Sequence, residues 1–381
     1  MKCFKVVQLC IIAMLFFVTS CKHKSITNPD EETYDPRNIS RTETDSYSPN
    51  IAVGRDGTVY IGWMDGGYGE LEKSSIYWRE ISPDGEMSDI EILSDTANDA
   101  WGPIIKIDDD CNIHVLWREY REDEPSILVY KMKRSTGDWC ENEIISDPSD
   151  IADINTMAYD PRGYIHVVYE GDNGLHYLYK PIYGEWSFPE VFSYASPSNM
   201  HLLVNSAGGL YLVCDSYSHG DIYYFYRDIS GEWGGPIYVT NIEGAKYSWL
   251  HCAAFDESGR FYVVWTEWDT LMMYRVKEDT VWSDAYVIPL NADKNKPRHK
   301  QLFIYKGVKY LLWRDFEGDM YLGYTSGELK DGLNVIKPFD PPYGPYFKAV
   351  MVNGIIYVVW TPEIDGHFEV YFDKIYLNEL K

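Results

Sequence analysis

Four histidines of this 381-residue chain, His201, His219, His251 and His299, stand at positions its internal repeat does not explain, and they lie near Tyr247, Arg298 and Arg314 in the sequence. These residue types suit proton transfer at an acidic carbon. A guanidinium neutralises a carboxylate and acidifies the adjacent C–H, an imidazole or phenol takes that proton, and another returns one to the leaving oxygen, as a uronate lyase requires. The catalytic candidates are therefore His201, His219, His251, His299, Tyr247 and Arg298. A hydrolase would instead place two carboxylates across the bond, drawn from Glu170, Asp215 and Glu267. Ordinary rim residues, or a metal tying loops together, are the competing readings of the histidines.

A second group recurs with the repeat. Just after each apolar, aromatic-anchored stretch comes an acid, alone or beside an arginine: Asp65, Arg118 with Glu119, Glu170, Asp215, Glu267, Arg314 with Asp315, and Glu363. Carboxylates and arginine forks suit vicinal hydroxyls, so Arg118, Glu119, Glu170, Asp215, Glu267, Arg314 and Asp315 are candidate sugar ligands, with Trp101 as a stacking surface. The alternative is that these acids cap turn amides or pair with neighbouring arginines.

The elements that must position these groups come from a sevenfold repeat. A glycine-type turn residue is followed six positions later by an aromatic or its stand-in: Gly57/Trp63, Cys111/Trp117, Gly163/Tyr169, Gly208/Cys214, Gly259/Trp265, Gly307/Trp313 and Gly354/Trp360. Successive turns lie 54, 52, 45, 51, 48 and 47 residues apart, the spacing of one small sheet per repeat. Stretches such as Val59 to Trp63 are apolar on both alternating faces, so both faces need covering. No capped helical period is present to do so, and radial stacking of sheets is the remaining solution. The expected fold is all-β: a seven-bladed β-propeller of four-stranded antiparallel sheets around a central axis, spanning residues 47–381. His114, His166 and His176 replace repeat tyrosines and read as core residues. The last repeat has three clear strands, so closure calls for a fourth from Asn38 to Thr44.

The D-x-x-G-x-[IVF]-[HY]-V-V-W pattern, an aromatic third strand and a following G-x-W resemble the sialidase-related, BNR-type propellers over about residues 47–377, and also propeller lectins. The Arg-Ile-Pro motif and the Asp boxes of sialidases are missing: Ser82-Pro83-Asp84-Gly85 runs into Glu86-Met87-Ser88. The His/Tyr/Arg set is similar in residue types to propeller polysaccharide lyases, including those acting on ulvan, though without matching motif spacing. The resemblance implies carbohydrate as partner, met by a lyase or glycosidase, or by a non-catalytic glycan-binding or protein-interaction propeller.

Residues 1–20 read as a signal peptide, with Lys2 and Lys5 before an apolar run, and Thr19-Ser20-Cys21 resembles a bacterial lipobox. Cys21 is thus expected to carry lipid and anchor the protein in the bacterial cell envelope, periplasmic or on the outer surface, through a polar tether over residues 21–46. Cleavage takes the net charge from -25 to -27, which disfavours nucleic acid. Cys111, Cys140, Cys214 and Cys252 form no CxxC pair, so a zinc ribbon is not expected, and no cofactor is called for.

Overall fold

The computed structural model describes residues 37–66, 73–216, 220–240, 248–268, 270–290, 297–338 and 346–380. His219, Tyr247 and Cys21 lie outside them. The described residues build the expected seven-bladed propeller. The first, innermost strands of the blades are Ser46–Val53, Asp99–Ile107, Asn155–Asp160, Pro197–Val204, Ser248–Phe255, Lys300–Tyr305 and Phe347–Val352. Each contacts the next around a closed ring, and the remaining strands of each blade follow outward, antiparallel and in sequence order. The outer edge is less regular: in blade 5 both Val281–Trp282 and Tyr286–Val287 pair with Leu271–Glu278.

The turn residues explain the repeat. All six glycines have positive φ, from 74° at Gly307 to 92° at Gly57, and Cys111 takes the same conformation at 62°. Cys111 is therefore a backbone substitute for glycine. In blades 6 and 7 the hairpin shortens to two residues with positive φ, Lys306-Gly307 and Asn353-Gly354. Six positions on, Trp63, Trp117, Trp265 and Trp313 are fully buried between blades. On both faces of the second strands Val115, Leu116, Val263, Val264, Leu311 and Leu312 have no exposure either, as radial packing demands.

The repeat histidines are core residues. His114 bonds Tyr130 Oη at 2.6 Å and Asp108 at 3.2 Å. His166 bonds Tyr177 Oη at 2.9 Å, and burial pushes its imidazole down to about 4. His176 stacks on Tyr169 at 4.7 Å and lies 3.1 Å from Asp150.

The N-terminal side reaches blade 7, but through a single isolated bridge and its flanking hydrogen bonds rather than through the expected fourth strand over Asn38 to Thr44. Blade 7 has three strands of its own, ending in Tyr371–Tyr376. Asn38 bridges Tyr371, Ile39 donates to Val370 O at 2.7 Å, and Phe372 donates to Arg37 O at 2.9 Å. Ile39 is fully buried, and Ser40 Oγ reaches the Glu369 carboxylate.

Candidate functional site

Antiparallel pairing puts the starts of the inner strands beside the ends of the second strands: Trp101 faces Arg118, Asn155 faces Tyr169, and Ser248 faces Glu267. The glycine turns occupy the opposite end. At the site end, register breaks between Tyr47/Asn50, Trp101/Ile104 and Trp249/Cys252 place an extra residue in the inner strand. Such bulges re-aim side chains, and the one in blade 5 contains His251.

Strand parity divides the recurring acids into two kinds. In blades 1 and 2 the acid comes two residues after the tryptophan, hence on the same face. Asp65 accepts Trp63 Nε1 at 3.2 Å together with Thr42 and Ser46, and Glu119 accepts Trp117 Nε1 at 2.8 Å and Asn98 Nδ2 at 3.2 Å. Glu119 is thus a buried indole acceptor. Asp315, also two residues on, is buried and accepts Asp319 N at 2.9 Å across a turn; burial holds its carboxyl above the ordinary range. Arg118 is engaged by the Asp153 carboxylate and lies 4.6 Å over Tyr120, whose ring also meets Trp101 at 5.8 Å. These groups perform the capping and pairing roles. Glu267 closes the blade 5 second strand, half-buried, with its carbonyl accepting Thr270 N at 3.2 Å.

In blades 3 and 4 the anchor is Tyr169 or Cys214, and the acid follows immediately, on the other face. Asp215 is fully buried; its carboxylate contacts His251 Nδ1 and accepts Asn199 Nδ2 at 3.0 Å. Glu170 lies close enough to Cys214 to act, with Asp215 and behind burial itself, in raising the thiol. An aspartate on Nδ1 fixes the imidazole tautomer and leaves Nε2 as the basic nitrogen.

His201 stands on the inner strand of blade 4. Burial pushes it down to about 3, with His251, Lys348 and Lys106 adding to the shift. His299 is likewise pushed down to about 4, by burial first and then by Arg314, Lys348, Lys300 and Arg298; its ring lies 6.2 Å from Tyr346. Arg298 lies 5.1 Å over Phe316, and its backbone N donates to Arg314 O at 2.7 Å. Lys300 donates to Thr266 Oγ1 at 2.7 Å, and burial brings it down to about 8. The fold therefore gathers three of the four candidate histidines with Arg298 and Arg314 around the axis. Asn199, Lys106, Lys300 and Lys348 escaped the sequence reading. Their signal was a polar or cationic residue inside an apolar inner strand, as in Ile105-Lys106-Ile107 and Phe347-Lys348-Ala349. Trp268 and Phe316, 49 % and 59 % exposed, add aromatic surface at the same end.

Among the described residues no cluster of metal-ligating side chains occurs. A cleft of about 520 Å³ lies elsewhere, between the outer parts of blades 5 and 6, lined by Arg260, Tyr274, Trp282, Tyr286 and Glu328. It shares no residue with the axial group.

No family model matches the chain, and no curated protein matches it in sequence. Solved structures do match in shape. The BP39L lectin from Burkholderia pseudomallei aligns with TM-score 0.65 at 11 % identity, over 88 % of this chain and 97 % of the lectin. A PL25 ulvan lyase bound to a GlcA(1-4)Rha3S oligosaccharide aligns with TM-score 0.61 at 10 % identity, over 90 % and 96 %. The polysaccharide lyase Uly1 aligns with TM-score 0.59 at 12 % identity, over 86 % and 89 %. At such identities the likeness establishes the propeller fold.

Proposed function

We propose that this chain is an exported, lipid-anchored enzyme that degrades a uronate-containing polysaccharide or oligosaccharide by elimination at one end of the propeller axis. The observation that carries the reading is the buried Asp215–His251 pair, with His251, Lys348 and Lys106 acting on His201, Lys300 acting with Asp215, and Arg298 and Arg314 on nearby His299, in an otherwise acidic chain. Arg298 or Arg314 neutralises the uronate carboxylate. His251 Nε2 then takes the proton from the adjacent carbon, the C–O bond to the leaving sugar breaks, a C=C bond forms, and a proton passes to the leaving oxygen. The cationic surroundings favour this over glycosidic hydrolysis, because Asp215, one of the three carboxylates available for hydrolysis, is committed to His251. The likeness to polysaccharide lyases lends support at the level of fold.

The competing reading is a non-catalytic glycan binder, which exposed Trp268 and Phe316 and the lectin likeness favour. Mass spectrometry of neutral and uronate-rich glycans incubated with the purified protein separates the two. Unsaturated fragments that vanish in His251→Ala and Arg298→Ala are the expected result. Fragments carrying added water would make the protein a hydrolase, and intact glycans throughout would favour the binder.

A further inference from the structure

The chain carries 59 acidic against 34 basic side chains, so a lysine has many carboxylates from which to find a partner. Two lysines on inner strands have none among the described residues. Lys106 belongs to Asp99–Ile107 of blade 2 and Lys348 to Phe347–Val352 of blade 7. Neither makes an ion pair or hydrogen bond there, and no carboxylate acts on either electrostatically. Blade 1 stands between them in the ring, yet the charge of Lys348 acts on Lys106, and both act on His201 from blade 4. Groups from blades 2, 4 and 7 can meet only across the axis. Lys348 is exposed on its inner strand, while the protein atoms around its ammonium depress it, as expected of a side chain facing the open axial channel. Burial also brings Lys106 down to about 8, with Lys348 adding to the shift. Two ammonium groups without a carboxylate among the described residues, acting on each other across the axis, repel unless a negative charge joins them.

We propose that Lys106 and Lys348, with His201 beside them, form an anion site in the axial channel that takes a single oxyanion group: a sulfate, a phosphate or a carboxylate. This site shares His201 and the axis with the proposed catalytic group and so deepens that reading, but it is tested by binding alone and can fail or hold whether or not turnover is found. The oxyanion is either a free ion or a group on a carbohydrate chain entering the axis.

The test is thermal unfolding of the full chain with sodium sulfate, or with a uronate oligosaccharide, against sodium chloride at equal ionic strength, which controls for general salt effects. Sulfate at about tenfold its dissociation constant should raise the midpoint by roughly 2–4 °C. That rise should vanish in Lys106→Met and Lys348→Met and persist in Lys348→Arg. The ligand-free Lys106→Met variant should melt above the wild type, because a desolvated charge has been removed. A response to the oligosaccharide alone, lost in the same variants, also supports the site and identifies the polymer as the source of the anion. A wild type indifferent to both ligands, or methionine variants that respond like the wild type, overturns the proposal.

Discussion

Lowering the pH from 7 to 5 should cost this protein a large part of its stability, well before its carboxylates titrate. His201 is pushed down to about 3, and His166 and His299 to about 4, each chiefly by burial. An unfolded histidine titrates near 6.5, so below that value the unfolded chain binds protons that the folded chain refuses. The sign is therefore a loss of stability as pH falls through 6.5, continuing toward 4 and, for His201, toward 3. At pH 5 each imidazole has been held neutral over about 1.5 pH units, or at most about 2 kcal/mol for buried His166 and less for half-buried His201 and His299, so the three together amount to a few kcal/mol. That is a large part of the whole stability of many domains. The depressed aspartates, Asp108, Asp160 and Asp256 among them, add their loss only below the ordinary carboxylate range. Asp315 and Glu369, held high by burial, act in the opposite sense and regain stability as the pH falls. Urea unfolding at pH 7, 6 and 5 reads the effect, and His201→Gln should remove part of the slope. A wild-type midpoint unchanged between pH 7 and 5, or a His201→Gln variant as steep as the wild type, would refute the buried neutral imidazoles.

Three further outcomes follow from particular contacts. Asp215→Asn should leave the fold intact, since Asn199 and the blade 4–5 packing remain, while turnover of the proposed uronate substrate falls by about 100-fold or more through loss of the His251 tautomer; steady-state kinetics beside circular dichroism checks this. Ile39→Ala should lower the urea-derived unfolding free energy by about 2–4 kcal/mol, because Ile39 is fully buried beside the bridge that joins the N-terminal side to blade 7. Cys111→Gly should stabilise by about 0.5–1 kcal/mol by relieving a positive φ of 62°, whereas Cys111→Ala should bring no such gain, both read from the same urea curves.

The blade pattern was legible because it is local. A turn residue with positive φ and a tryptophan six positions later lie on one hairpin, so their spacing survives in the sequence even where Cys111 replaces glycine. His114, His166 and His176 were readable for the same reason, since they share register with core tyrosines. The axial lysines were not. Lys106 and Lys348 stand 242 positions apart, and only ring closure brings the second and seventh blades together. Taken alone, each reads as a lysine whose stem lies along apolar surface while its charge reaches water. The split among the acids was written in the sequence in a form easily passed over. Counting from the anchor shows Asp65 and Glu119 two residues on, against Glu170 and Asp215 one residue on, and in a strand that difference selects the face.

The pairing of Ile39 with Val370 gives the protein a clasp whose two halves are made at opposite ends of synthesis. Until residues 369–372 exist, the segment at 37–40 has nothing to grip, and until it grips, the start of the strand Tyr371–Tyr376 presents an open edge to any passing chain. Six blades can fold as they emerge, each from neighbouring sequence, but the seventh must wait for both termini and bear the entropy of a loop more than 300 residues long. A protease that cut between the clasp and the first blade would convert a sealed circle into a molecule with an adhesive seam.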